Sequence, residues 1–302
     1  MRSPTIAIIK DAPRCDITPT IAISPNLTKI HELTAANTSE VQNFLAVRPV
    51  HTVVMSSFIA DNGIVSDLNR GKFYGYRNSA GEIEGVALIG HSTLVEARSH
   101  ESLKALAFIA RRSETPIHLI MSSGGDAEKF WKYLDGGQKA PRLTCTEELF
   151  ELSFPFAVPT SEWKIENAAI DRLIEVAEAQ AEVAFIESGI DPMLQDRDGF
   201  LERVARRIEQ KRVFVALDGG KMVFKADIIA ETDDCIYLEG VYVSNEYRRR
   251  GIGSKCLASL SLELLNRVEN ICLLSNVEFR DAHRSFQKAG FRRSDQCTTI
   301  FV

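Results

Sequence analysis

The chain has no Cys-x-x-Cys pair, no His-Glu-x-x-His, no glycine-lysine P-loop motif and no apolar run as long as a membrane span. Metal dependence is therefore not expected, and neither is a membrane partner. Basic residues are not in excess: the formal charge of -5 argues against a general nucleic-acid binder. The six cysteines, Cys15, Cys145, Cys235, Cys256, Cys272 and Cys297, are scattered. Four of them fall in apolar strand or helix contexts, which suits free buried thiols in a reducing compartment. The stretch from Met1 to Lys10 has too short an apolar core for a signal peptide, so a cytoplasmic setting is expected.

What is present is an ordinary globular composition, 45% hydrophobic and 25% charged, over 302 residues. That length suits one large or two medium domains. The most informative stretch is Val243-Ser-Asn-Glu-Tyr-Arg-Arg-Arg-Gly-Ile-Gly-Ser254. Before it, Cys235 to Val243 is β-branched and aromatic and reads as a strand. After it, Ile252, Cys256, Leu257, Leu260 and Leu264 recur at helical spacing. A strand, a glycine turn and a helix N-terminus in that order gather backbone N–H groups around one point, which suits a pyrophosphate. Gly251 and Gly253 let the backbone approach phosphate oxygens, and Arg248, Arg249 and Arg250 add charge in an acidic protein.

The order Arg248-x-x-Gly251-x-Gly253 after Asn245-Glu246-Tyr247 resembles the acyl-CoA loop of the GNAT superfamily of N-acetyltransferases. A second block agrees: Asn270 to Asn276 reads as a strand and Phe279 to Ala289 as a helix closed by Gly290-Phe291. The resemblance covers roughly residues 160–302. It implies an α/β (α+β) fold with a mixed β-sheet flanked by helices, and acetyl-CoA as co-substrate. By that resemblance Val241 and Val243 hold pantetheine through their main chain, while Arg248, Arg249, Arg250, Gly251, Ile252, Gly253 and Ser254 hold the pyrophosphate. Asn276 supplies a polar contact at the end of its strand.

Upstream, residues 1–30 alternate short β-like runs with prolines, and Thr34 to Val47 reads as a helix. Strand-like Lys72–Arg77 and Ile83–Gly90 flank a turn; a helix over Glu101–Arg111, a strand over Ile117–Met121 and a helix over Asp126–Leu134 follow. Downstream, Arg212–Leu217 and Met222–Ala230 make a similar hairpin. The chain is thus read as tandem GNAT-like halves, 1–155 degenerate and 156–302 competent, with the boundary near Pro155 to Thr160. Ser122 to Gly125 is read as a turn. Trp163 to Gly189 is expected to be one amphipathic helix burying Ile170, Leu173, Ile174, Ala177, Ala181, Ala184 and Phe185. Asp198 to Gln210 is expected to be another, with the link Ile190–Asp196 near the acceptor mouth.

Forming an amide from a thioester needs a neutral amine, a held oxyanion and a tolerable thiolate leaving group. Thiols of this kind have a pKa of about 8.5, so only the base must be sought. Glu239 is the candidate, beside Gly240, and a glycine inside a strand often marks a bulge or a close ligand approach. The alternative for Glu239 is an exposed strand carboxylate or one that recognises a cationic acceptor. Without a bulge, Val241 and Val243 share its strand face. Phe286 stands where the family often has a tyrosine acid, and a phenyl ring donates no proton. His283 is expected to be a solvated helix residue, and Cys256 a packed thiol. The reading is acetyl transfer to a small-molecule or peptidyl primary amine; the rival is a non-catalytic acyl-CoA sensor. The degenerate half would complete the acceptor cleft or form an interface, with a homodimer allowed.

Overall fold

The computed structural model describes residues 27–154 and 161–302. Cys15 and the expected boundary at Pro155 to Thr160 lie outside the described residues. The first run of chain contains β1 (Ile30–Glu32), α1 (Thr38–Ala46), α2 (Pro49–Asn62), β2 (Gly71–Arg77), β3 (Ile83–Gly90), β4 (Ser92–Ala97), α3 (His100–Ala110), β5 (Leu119–Ser123), α4 (Asp126–Asp135) and β6 (Leu143–Leu152). The second contains β7 (Ile165–Asn167), α5 (Leu173–Ser188), α6 (Pro192–Gln195), α7 (Arg197–Glu209), β8 (Val213–Asp218), β9 (Lys221–Glu231), β10 (Cys235–Val243), α8 (Ile252–Leu264), β11 (Asn270–Asn276), α9 (Arg280–Lys288) and β12 (Arg292–Phe301). Apart from the additional short α6, the two runs repeat one order of elements.

The strands form a single mixed sheet in the order β1-β2-β3-β4-β5-β12-β6-β11-β10-β9-β8-β7. Each run keeps its first five strands together but gives its last strand to the other. β12 pairs with β5 of the first run, and β6 pairs with β11 of the second. The two exchanged strands pair with each other in the middle of the sheet, from Arg292↔Glu151 to Phe301↔Leu143. A cut near residue 155 therefore divides the sequence but not the sheet.

Alternation along β9 sorts its side chains to two faces. Phe224, Ala226 and Ile228 join Leu257, Leu260 and Phe286 in the core under α8 and α9. Lys225 and Asp227 point the other way, where α5 and α7 cover the sheet. Farther along that second face, Val53 of α2 packs on Ala230, Tyr237 and Cys272. A helix from the first run thus lies on strands of the second. Its residues Val50 to Met55 are mostly β-branched or apolar, which hides a helical period in the sequence.

The helix expected over 163–189 differs. Ile165–Asn167 pairs with β8 as the edge strand β7, and only Leu173 onward is α-helical. The buried face is also rotated: Val176, Ala177, Gln180 and Ala181 are inside, whereas Ile170, Ile174 and Phe185 are exposed. Alanines let α5 sit close to the sheet, which brings Gln180 onto β9 and β10. The helix ends at Gly189, whose left-handed φ of 73° accepts no side chain easily. The 198–210 helix forms as α7, capped by Asp196, whose carboxylate accepts from the Gly199 N–H at 3.1 Å.

Candidate active site

β10 and β11 run parallel only from Cys235↔Asn270 to Tyr237↔Cys272. Beyond that point they part, while β11 stays paired with β6 on its other edge from Ile271↔Leu152 to Asn276↔Glu147. The gap opens into a cleft of about 960 Å³ bounded by the end of α5, the outer half of β10, the glycine turn and α9. β10 itself is bent here. Its pairing with β9 jumps from Glu239↔Asp227 to Tyr242↔Lys225, one extra residue on β10. The extra residue is Gly240, with φ of 61°. A Cβ there would lie 2.2 Å from Gln180 Oε1 and 2.7 Å from Lys225 Nζ, so both backbone and space require glycine.

That bulge corrects the expected strand parity. Glu239 and Tyr242 face α5 and α7, while Val241 and Val243 fall on the α8 side and pack against its core. The glycine turn follows. Arg249 and Gly251 both have left-handed φ, 63° and 74°, which folds the chain sharply before α8 begins. A side chain at Gly251 would meet nothing within 4 Å; the space in front of the helix N-terminus is open. Gly253 is needed for a different reason, since a Cβ there would touch Val243 at 3.0 Å and hold α8 off the strand. The open helix N-terminus and the cleft leading to it fit an anionic cofactor head with an extended tail.

The arginines divide. Arg248 lies along the cleft, donating from Nε to the Val243 carbonyl at 2.8 Å and from Nη2 to Glu182 Oε1 of α5 at 2.9 Å. Arg249 also lines the cleft. Arg250 turns away, its guanidinium 5.7 Å from the Tyr247 ring centre. Asn276 is likewise not among the cleft-lining residues; its side chain accepts from the Glu278 N–H at 3.0 Å and caps the turn after β11. The structure thus brings Glu239, Val241, Val243, Arg248, Arg249 and Gly251 to Ser254 together, and leaves Arg250 and Asn276 at the periphery.

Behind the cleft lies a buried polar network that sequence reasoning missed. Lys225 and Asp227, both 0% exposed, are 2.8 Å apart. Arg207 of α7 donates to the other Asp227 oxygen at 2.7 Å. Lys225 also donates to Gln180 Oε1 at 2.6 Å, and Gln180 lies near Glu239, where it favours the carboxylate form. A signal was available: Lys225 and Asp227 interrupt an otherwise apolar strand.

Two further carboxyls lie close enough to act on Glu239, Glu187 from the end of α5 and Glu147 from the exchanged strand β6. Burial, followed by the Glu239 charge and then Glu147, pushes Glu187 up to about 8. Burial pushes Glu147 up to about 7, against a hydrogen bond from Thr299 and with help from Glu239. Glu239 is raised too, first by burial and then by Asp227, while Arg207, Lys225 and Gln180 oppose the rise.

Other expectations resolve as follows. His283 is not solvated: it is 2% exposed, with its ring 5.0 Å from Phe150. The two apolar residues of this nine-residue helix, Ala282 and Phe286, are too few to mark which polar positions face inward. Phe286 is buried against the same core and forms part of the cleft floor. Cys256 is a packed thiol, as expected, 3.4 Å from Ser161 Oγ. In the first run, the junction between β4 and α3 has no glycine turn; Ser99 caps the helix by accepting from the Ser102 N–H at 3.1 Å. Among the described residues no cluster of three or more His, Cys, Asp or Glu side chains is arranged to hold a metal. Among them, no helix is long and apolar enough to cross a membrane.

The fold is that of an α/β protein with a duplicated architecture and one open cleft beside its glycine turn. Residues 209–293 match the family model described as "Acetyltransferase (GNAT) domain". The fold is shared with a Drosophila protein of known structure at a TM-score of 0.68, with 12% identity over 91% of this chain and 98% of that one. A tandem GNAT protein from the clavulanic acid biosynthesis pathway is similar at a TM-score of 0.55, with 12% identity over 90% and 97% of the two chains. A GNAT-family acetyltransferase from Colwellia psychrerythraea is similar at 0.52, with 14% identity over 90% and 99%. No curated protein matches the chain in sequence. The match to a GNAT domain model thus lies in the C-terminal half, and the fold over both halves is shared with solved GNAT-family structures, a tandem one among them.

Proposed function

We propose that the protein is an acyl-CoA-dependent N-acetyltransferase that moves an acetyl group from acetyl-CoA to a primary amine by direct attack. The observation that carries this reading is the continuity of one cleft from the open N-terminus of α8 to the Glu239 carboxyl. The helix N-terminus, with Arg248 and Arg249 beside it, suits the pyrophosphate. Beyond Tyr237 the β11-facing edge of β10 has no partner strand, so its main-chain groups are available to an extended pantetheine arm and to a developing oxyanion.

Glu239 is the residue to take a proton from the incoming ammonium group. Its raised pKa brings the carboxylate nearer to working pH, which makes it a stronger base than an exposed glutamate. Glu147 and Glu187 crowd two more carboxyls near Glu239; their raised pKa values leave them partly protonated, and a cationic acceptor would draw them into the charged form, which favours it over a carboxylate-bearing one. The leaving thiolate needs little assistance, so the absence of a proton donor at Phe286 is tolerable.

Two measurements test the reading. Acetyl-CoA at about a hundred times its Kd should stabilise the protein by roughly 2.7 kcal/mol, and Gly251→Glu, which puts a carboxylate at the helix N-terminus, should abolish that shift. Free CoA thiol should then be released when primary amines are added, and Glu239→Gln should lower that rate by about 10²–10⁴ without loss of acetyl-CoA binding. The rival reading, a non-catalytic acyl-CoA sensor, predicts the thermal shift with no amine-dependent thiol release. No shift at millimolar acetyl-CoA would refute both.

A further inference from the structure

Lys225 is fully enclosed, in the middle of a strand whose neighbours Phe224, Ala226 and Ile228 are core residues. Its ammonium donates to Gln180 Oε1 at 2.6 Å and to the Gly240 carbonyl at 3.3 Å, and forms an ion pair with Asp227 Oδ1 at 2.8 Å. An ammonium only donates, so the Gln180 side chain must turn its oxygen toward Lys225. Its NH2 group then faces away from Lys225, and Gln180 favours the carboxylate form of the nearby Glu239. The third contact grips the bulge itself, at the residue where no side chain fits.

A buried ion pair is a poor way to stabilise a strand, because well-packed apolar residues do as well or better. What a lysine can do here, and a leucine cannot, is orient an amide and hold a carbonyl. We propose that Lys225 is a positioning residue of the acyl-transfer site: through Gln180 it aims a donor at Glu239, and through Gly240 it holds the bulge that turns Val241 and Val243 to the cofactor side. The inference rests on the acyl-transfer reading above for its functional meaning.

The groups facing Glu239 set the sign of the test. From β9 come Asp227 and Lys225, from α7 Arg207, from α5 Gln180 and Glu187, from β6 Glu147, and on its own strand Tyr237. Lys225, Arg207 and Gln180 favour the carboxylate; Asp227, burial and the two neighbouring glutamates oppose it. Removing Lys225 or Gln180 therefore moves the Glu239 titration to higher pH.

The experiment uses the full chain with Lys225→Met and, separately, Gln180→Met. Acetyl-CoA binding is measured by calorimetry and amine-dependent thiol release from pH 5.5 to 9. The carboxyl titration of Glu239 is followed by NMR of ¹³C-labelled glutamate, assigned with Glu239→Gln. Gln180→Met should bind acetyl-CoA within about threefold of wild type, whereas Lys225→Met, which releases the Gly240 bulge, should bind it more weakly than that; in both, the acid limb of kcat/KM and the Glu239 titration rise by about one pH unit or more. If Gln180→Met leaves both unmoved, the proposal is wrong. Should Lys225→Met fail to fold, as loss of one partner of a buried pair can cause, Gln180→Met keeps the Lys225–Asp227 pair and decides alone. If the wild type releases no thiol with any amine, acyl transfer fails as the function; the carboxyl titration still tells whether Lys225 and Gln180 act on Glu239.

Discussion

Replacing Gly240 with alanine puts the bulge to a quantitative test. Two costs add. An L side chain held at a φ of 61° pays about 1–2 kcal/mol for left-handed backbone. The new Cβ would also sit 2.2 Å from Gln180 Oε1 and 2.7 Å from Lys225 Nζ, so at least one buried hydrogen bond must break. A buried polar group left without its partner costs about 1–3 kcal/mol. The sum is about 2–5 kcal/mol, a large part of a typical domain's stability. Gly219 supplies the control: its φ is 55°, yet a Cβ there meets nothing within 4 Å, so Gly219→Ala carries only the backbone cost. Urea unfolding of both variants, compared at equal m-value, isolates the collision. Acetyl-CoA binding should weaken in Gly240→Ala without being abolished, because the bulge sets the facing of Val241 and Val243 while Gly251 to Ser254 lie beyond it, and turnover should fall. Equal stability losses in the two variants would refute the claim that the bulge is sterically committed to glycine.

Two other outcomes follow from the structure. Burial pushes Glu147 up to about 7 in the folded chain, from an ordinary 4.5 when unfolded, so it costs the fold stability as pH rises through that window. Glu147→Gln should match the wild type below about pH 4.5 and gain in stability relative to it up to about pH 7; thermal unfolding across pH checks this, and a constant difference would refute it. Truncation after Phe291 removes β12 and uncovers β5 and β6 in the middle of the sheet, although every cleft-lining residue remains. That fragment should lose cooperative unfolding by circular dichroism and aggregate on size exclusion, whereas removal of Val302 alone, which lies outside β12, should not.

Much of the second run was legible because its signals are local. The strand Cys235–Val243, the glycine turn and the face of α8 each depend on neighbours within a few residues, so periodicity and turn chemistry expose them. The bulge was half visible: Gly240 marked it, but the flip of Val241 and Val243 depends on the β9 register, which no local pattern encodes. Arg250 and Asn276 carried the right chemistry for a phosphate or polar contact. Their directions were decided by Tyr247 and by the turn at Glu278.

By itself the sequence determined the fold class, the duplicated order of elements and the position of the glycine turn before α8, since these follow from short-range preferences and spacing. Only the tertiary structure decided the exchange of β6 and β12, the docking of α2 on strands of the second run, and the network from Arg207 through Lys225 to Glu239. Those depend on pairings between residues as distant as Glu147 and Asn276 or Gln180 and Lys225. The physical reason is that a strand's partner, and the charge opposite a buried side chain, are chosen by the packing of the whole sheet rather than by adjacent residues.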